Sequence, residues 1–266
     1  MPLEGQLHKM KTTATTPVSY HLVLGEEEHD LMSFRGQKSK LTCTGQIRCI
    51  SCNRPTKKSW QQGHCFPCTQ KLAACDICIV KPELCHYAQG TCREPEWGEA
   101  HCLKPHIVYL ANSSGLKVGI TRESQVPTRW MDQGAMQALP IMRVSERLKS
   151  GQVEIIFGEL VADKTHWQKL LKGMPEVLDL ESIRDDLMVQ IGARLETYGP
   201  ELLKVPVQHF SYPVTQWPEK IKSYNPEKVP VIEDRLMGIK GQYLMFENGV
   251  LNVRSHAGHI IRWESL

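Results

Sequence analysis

All ten cysteines of this 266-residue chain fall between Cys43 and Cys102. In a reducing compartment, thiols at C-x-x-C spacing read as metal ligands before they read as disulfides. Cys49-x-x-Cys52 and Cys65-x-x-Cys68 are separated by twelve residues, enough for a hairpin to leave a site and return. Each pair turns both sulfurs toward one ion while backbone N–H groups support them, so the two pairs predict a closed, structural Zn2+ site of four thiolates. A redox C-x-x-C needs a strand-to-helix setting that these flanks do not offer. A second structural Zn2+ site is expected from Cys75-x-x-Cys78 with Cys85, Cys92 and Cys102, beside His86 and His101. Five thiols and two imidazoles compete there for four positions. Cys75, Cys78, Cys85 and Cys92 are the preferred set and Cys102 the reserve, and spacing leaves open a sharing of pairs between the two sites. Cys43, with no partner within two residues, reads as a buried strand residue.

Between the first two pairs lie Arg54, Lys57, Lys58 and Trp60. Three cations and an indole at a hairpin tip can touch phosphate and stack on a base; a solvated turn with one apolar plug is the plainer reading. Glu94, Glu96 and Glu99 make the second half of the segment acidic, so a nucleic-acid footprint should favour the first half.

The elements that must position these residues follow from periodicity. Residues 1–17 carry no clear pattern and read as a loose arm. Residues 18–24 alternate as a strand does, and 41–50 form a second strand leading into Cys49. Residues 107–111 and 116–120 are two strands around the turn Asn112-Ser113-Ser114-Gly115. Pro127 opens a helix running to about Gly134. A strand at 139–144 precedes a helix at 152–163, with Val153, Ile156, Phe157, Leu160 and Val161 on one face. A short helix at 167–171 and a longer one at 178–198 follow, the latter striped by Ile183, Leu187, Ile191 and Leu195. Beyond Gly199 the chain turns strand-like at 205–210, 229–232, 242–246, 250–253 and 259–263, with Glu247-Asn248-Gly249 as a hairpin turn. These last strands are compatible with an OB-like barrel, in which Gly238 to Gln242 would be a tight bend. His256-x-x-His259 reads as two surface histidines beside Gly258.

His106-Ile107-Val108-Tyr109, a turn, Lys117-Val118-Gly119-Ile120-Thr121 and then Thr128-Arg129-Trp130 resemble the GIY-YIG nuclease superfamily. Ile107-Val108-Tyr109 stands where the first motif would be and Lys117-Val118-Gly119 where the second would be. The lysine is similar to that of a phage and fungal branch. The chain as a whole also resembles an uncharacterised bacterial family that joins a cysteine-rich segment to such a domain. The resemblance implies that Tyr109 takes the proton from an attacking water, its phenol pKa lowered by nearby cations. Arg129 would hold the scissile phosphate. A carboxylate on the following helix, Glu154 first and Glu159 second, would bind Mg2+ or Mn2+. Lys117 and Arg122 would add phosphate contacts. Two departures stand out: the second motif lacks its tyrosine, and Gln133 occupies a position where many family nucleases carry histidine. On residue type alone, Tyr109 also reads as strand packing, and Arg129 as a partner of Asp132 or Glu123.

Composition is that of an ordinary globular protein, 41% hydrophobic and 23% charged. A net charge of +3 excludes a uniformly basic nucleic-acid coat while allowing a local patch. The N-terminus has no signal-peptide pattern, and no run approaches the roughly 18 apolar residues of a membrane span; a cytoplasmic protein without membrane contact is expected. The expected architecture is α+β, with an N-terminal arm and β segment (1–45), a zinc-knuckle segment (46–104), a central GIY-YIG-like β-β-α-β-α domain (105–175) and a C-terminal helix and β-rich region (176–266). The leading function is nucleic-acid binding, DNA or RNA, with metal-dependent phosphodiester cleavage as the activity the resemblance implies. The alternative is a catalytically inactive adaptor whose zinc segment presents a surface to a protein partner.

Overall fold

The structure is a computed structural model that describes residues 2–161 and 166–266. In chain order it contains β1 (Leu3–Gln6), β2 (Lys11–Thr13), β3 (Ser19–Leu24), β4 (Glu27–Asp30), β5 (Lys38–Ile47), α1 (Phe66–Lys71), α2 (Pro95–His101), β6 (His106–Asn112), β7 (Leu116–Arg122), α3 (Thr128–Asp132), β8 (Gln137–Val144), α4 (Arg147–Gly158), α5 (Trp167–Leu170), α6 (Leu180–Leu195), β9 (Glu201–Leu202), β10 (Gln208–His209), β11 (Val231–Lys240), β12 (Tyr243–Phe246), β13 (Val250–Asn252) and β14 (His259–Ser265). The class is mixed α+β. The last two residues of the helix expected at 152–163 lie outside the described residues.

The two ends of the chain build one sheet. Its order is β1-β14-β5-β11-β12-β13, with β5 between the C-terminal strands β14 and β11. The first seventeen residues are therefore no loose arm: Leu3 to Gln6 pair with Ile260 to Trp263, and β2 joins β3 and β4 in a separate three-stranded sheet. Local pattern could not reveal this, because the partner strand lies over 250 residues away. The boundary expected at residue 45 cuts through β5. In place of an OB-like barrel, the described pairings give a six-stranded sheet whose end strands β1 and β13 do not pair. Gly241 (φ +60°) makes the tight bend between β11 and β12, and the expected turn after Phe246 closes with Phe246 N–H donating to Gly249 O at 2.8 Å. His259 is buried, not a surface residue, its Nδ1 2.9 Å from the His256 carbonyl.

The central sheet has the order β10-β8-β6-β7, with β9 on β8, so β6 is flanked on both sides and β7 lies at the edge. Of the strand expected at 205–210, only Gln208–His209 pairs. Alternation along β6 and β7 sends Val108, Leu110 and Val118 to one face, where α4 and α6 cover them with Val153, Phe157, Leu187 and Ile191. Ile107, Tyr109 and Ala111 face the other way, into the core shared with Trp130 of α3 and the chain-end sheet. Asp179 caps α6 by accepting the Ser182 N–H at 3.0 Å. Among the described residues, no helix is long and apolar enough to cross a membrane.

Gly151 of α4 is where the cysteine-rich segment seats. A Cβ there would lie 2.4 Å from the Glu83 backbone nitrogen and 2.6 Å from the Pro82 side chain. Because backbone must move to admit it, Gly151→Ala should cost about 1–3 kcal/mol, a fall in Tm of roughly 3–10 °C. Thermal melts of the two proteins check this; an unchanged Tm would mean the segment does not bear on α4.

Candidate functional site

β5 ends at Ile47 and delivers Cys49 into a knuckle. There the Asn53 N–H bonds to Cys49 O (2.9 Å), Cys49 N–H bonds to Arg54 O (3.0 Å), and Asn53 takes φ +55°. The chain returns through a bridge between Trp60 and His64, then enters α1 with Cys65 at its N-cap and Cys68 in its first turn. The sulfurs of Cys49, Cys52, Cys65 and Cys68 all lie within 4.8 Å of one another. Cys52 and Cys65 sulfurs are 3.7 Å apart. Thiolates ~2.3 Å from a tetrahedral Zn2+ stand ~3.8 Å from each other, so the donor set fits that ion. Burial alone would raise the Cys49 thiol, but N–H groups of Cys52, Cys65 and Ser51 outweigh it and bring the pKa down to about 6. The Arg54 N–H lowers Cys52. Cys68 is raised by burial and by hydrogen bonds with its sulfur neighbours. Several thiols in such proximity cannot all ionise without a cation among them.

This hairpin docks on residues 254–258, the link between β13 and β14. Ser59 donates to Ala257 O (2.8 Å), Arg48 N–H to Gly258 O (2.8 Å), and Arg254 Nε to Gln62 Oε1 (2.6 Å). Gly258 (φ +91°) must lack a side chain, since a Cβ would stand 2.7 Å from Arg48 O. At the tip Arg54, Lys57 and Lys58 are exposed and Trp60 is 39% exposed. Lys58 Nζ lies over the Trp60 ring at 4.6 Å, and Phe66 meets that ring edge-on. Arg54 also leans on the Cys52 thiolate.

The later cysteines are arranged differently from the preferred set. Cys75 is buried, which raises its thiol pKa, and it does not line the cavity of the other later cysteines. Cys78, Cys85, Cys92 and Cys102 instead line one small cavity, together with Asp76 and His86. Burial, then Asp76 and Cys85, pushes the Cys78 thiol up to about 11; burial, then Cys85, pushes Cys102 to about 12. His101 turns away, its ring stacked on Trp97 and its Nδ1 2.8 Å from Trp97 O. Cys43 is buried in β5 as expected of a strand residue, with burial raising it to about 11.

A second constellation forms at the edge strand β7. Tyr109 lies opposite Gly119, and its hydroxyl occupies the space a Cβ would need, 2.7 Å away. That hydroxyl donates to Gln133 Oε1 at 3.0 Å and is hydrogen-bonded by Arg129 of α3. Glu154 of α4 bears on the same phenol electrostatically. Gln133 and Lys117 also line a cleft of ≈ 280 Å3 with Asp132, Trp167 and Tyr243. The expectation of a lowered Tyr109 pKa is overturned. The ring is fully buried, and desolvation raises the phenol despite Arg129 pulling it down. Neither expected partner takes Arg129: Asp132 pairs with Lys9 and accepts from Gln242 (2.9 Å), while Glu123 meets Arg143 (3.4 Å). Glu159 is taken by Arg194 through two bonds of 2.7 and 2.8 Å. Arg122 points to the face of β7 opposite Lys117, near Arg147 and Cys102, and so stands apart from this cluster.

Sequence reading missed Arg254. It follows β13, whose end is tied to Gln242 by the Val253 N–H (2.9 Å), and Gln242 in turn holds Asp132. Its charge opposes that of Arg129, and burial with this repulsion lowers its pKa. No local signal marks it; the neighbouring histidines drew the eye instead.

If the four-sulfur cluster holds the hairpin, Cys65→Ser should lose one equivalent of bound Zn2+ by elemental analysis. It should also speed proteolysis within residues 53–64 by at least tenfold. Equal metal content and equal cleavage rates in the two proteins would dismiss the cluster as a metal centre.

Residues 36–261 match the family model described as a protein of unknown function, DUF2797. No curated protein and no solved structure matches the chain. The match runs from just before β5 into β14 and includes every cysteine and the whole Tyr109 constellation. The chain belongs to the DUF2797 family.

Proposed function

We propose that this protein is a zinc-supported, nucleic-acid-binding protein that hydrolyses a phosphodiester at the Tyr109 constellation, in the manner of a GIY-YIG-like nuclease. The observation that carries the reading is convergence. Tyr109 and Lys117 come from two strands, Arg129 and Gln133 from α3 and its end, and Glu154 from α4, yet all gather at the β7 edge. Arg129 and Lys117 with Glu154 suit a phosphodiester, whose negative charge grows as the nucleophile adds.

Arg129 supplies a planar donor for the phosphate oxygens, and Lys117 adds charge from the cleft wall. Glu154 is the residue to hold Mg2+ or Mn2+, which when bound would polarise the phosphate and stabilise the leaving oxygen. Tyr109 serves as base only after losing its proton, and the Arg129 guanidinium against its oxygen favours that charged form. The exposed tip with Arg54, Lys57, Lys58 and Trp60 extends the footprint along the strand, by phosphate contact and base stacking. A second reading, an inactive adaptor with a protein partner, is favoured by one observation: Tyr109 is sealed from solvent and its hydroxyl is fully engaged.

Two experiments separate these readings. Binding to single- and double-stranded oligonucleotides should weaken log-linearly with salt, and replacing Lys57 and Lys58 by Ala should reduce the slope by about 2. Salt-independent or absent binding favours the adaptor. In a nicking assay with Mg2+ or Mn2+, Arg129→Ala should lower the rate about 10²–10³-fold, and Tyr109→Phe should abolish it. Because the folded-state phenol is raised, its reactive deprotonated form is scarce at neutral pH. The rate should therefore climb about tenfold per pH unit, without a plateau, up to at least pH ~10. A plateau near neutrality would remove Tyr109 as the base.

A further inference from the structure

We infer that Cys78, Cys85, Cys92 and Cys102 form a second closed metal centre, for one Zn2+, and that Cys75 and His86 are not among its ligands. The four thiols line a single cavity of ≈ 10 Å3, about the space of one water-sized sphere. They arrive from four separate places: the short helical turn at Ile77–Ile79, the end of the turn at Pro82–Leu84, the loop before α2 and the C-cap of α2. Cys78 and Cys102 are buried, Cys85 and Cys92 half-buried. The segment contributes nothing to any of the three apolar clusters, so no hydrophobic packing accounts for this convergence.

The surroundings fit a tetrathiolate centre with its net charge of −2. Arg147 donates to Cys78 O (3.2 Å) and Ile79 O (2.7 Å) and sends its N–H to Cys102 O (2.8 Å), placing a cation at the sulfurs. The ligand atoms within 4.8 Å of one another at this cavity are those of Asp76, Cys78 and His86; the four sulfurs line it more widely and close on the ion when it binds. Asp76, however, is bound by Arg93 (2.6 Å), and the two nitrogens of His86 face Thr91 (2.7 Å) and Asp76 (3.5 Å). Those contacts describe side chains already matched to each other, outside the ion. Cys75 lies outside the cavity lining.

The test is the zinc content of the full chain purified under reducing conditions. Two equivalents are expected for the unaltered protein, for Cys75→Ser and for His86→Ala, and one for Cys85→Ser, Cys102→Ser and Cys49→Ser. One equivalent in the unaltered protein overturns the inference. So does loss of an ion in Cys75→Ser or His86→Ala while Cys102→Ser keeps two. Should the cysteine variants fail to fold, 113Cd NMR of the cadmium-loaded, unaltered chain decides. Two resonances in the all-thiolate region support the centre; a single one there, or a second shifted by a nitrogen or oxygen ligand, refutes it.

Discussion

Among the described residues, no side chain between 46 and 104 joins any of the three apolar clusters, and Phe66, Ile77, Val80 and Leu84 stand exposed. This stretch shares no apolar core, and its buried Pro82 packs on the rest of the chain at Gly151. What gathers it is sulfur: Cys49, Cys52, Cys65 and Cys68 lie within one ion's reach, a set that could hold a Zn2+, and a filled structural Zn2+ site contributes about 10–16 kcal/mol. A fully buried aliphatic side chain contributes only about 1.5–3 kcal/mol. An ion in that cluster would outweigh any handful of half-buried residues in holding the segment's contacts with the rest of the chain.

Those contacts are not peripheral. The first hairpin rests on the link between β13 and β14, and Gln62 on that hairpin holds Arg254. Arg254 lies beside Arg129, and the neighbouring Asp132 is clasped by Lys9 and Gln242. Gln242 also bonds both backbone groups of Met10, at 2.8 and 3.2 Å. The first residues of the chain, the bend after β11, the metal hairpin and α3 thus meet around one arginine. At the other end of the segment, the Pro82–Leu84 turn seats on Gly151 of α4, the helix that carries Glu154. The cysteine-rich segment thus bears directly on α4 and holds Arg254.

Charge and burial oppose one another in that constellation. Arg129 and Arg254 repel, which is tolerable where an anion can sit and costly where none does. Tyr109 is desolvated, which disfavours the phenolate, yet it touches the guanidinium that would stabilise one. Lys240, fully buried, settles the same conflict differently. It donates to the carbonyls of Leu170 and Gly173 and lies over the rings of Tyr212 and Trp217, and burial lowers its pKa to about 8. Arg129 and Arg254 likewise have partners within the fold, the Tyr109 hydroxyl and Gln62, but keep their like charges near each other.

Sequence alone determined what rests on short-range spacing: the first four-sulfur cluster, the strands flanking 112–115, the stripe of α6 and the order strand, strand, helix, strand, helix across the centre. Each is written within a few residues or one period of the backbone. Tertiary structure decided what depends on distant partners. It set β1 against β14, moved Cys102 into the later sulfur cavity and Cys75 out of it, gave Glu159 to Arg194, sent Arg122 to the far face and brought Arg254 in. It also reversed the sign of the Tyr109 pKa shift, because desolvation is a property of everything packed around a group and no stretch of sequence near Tyr109 records it.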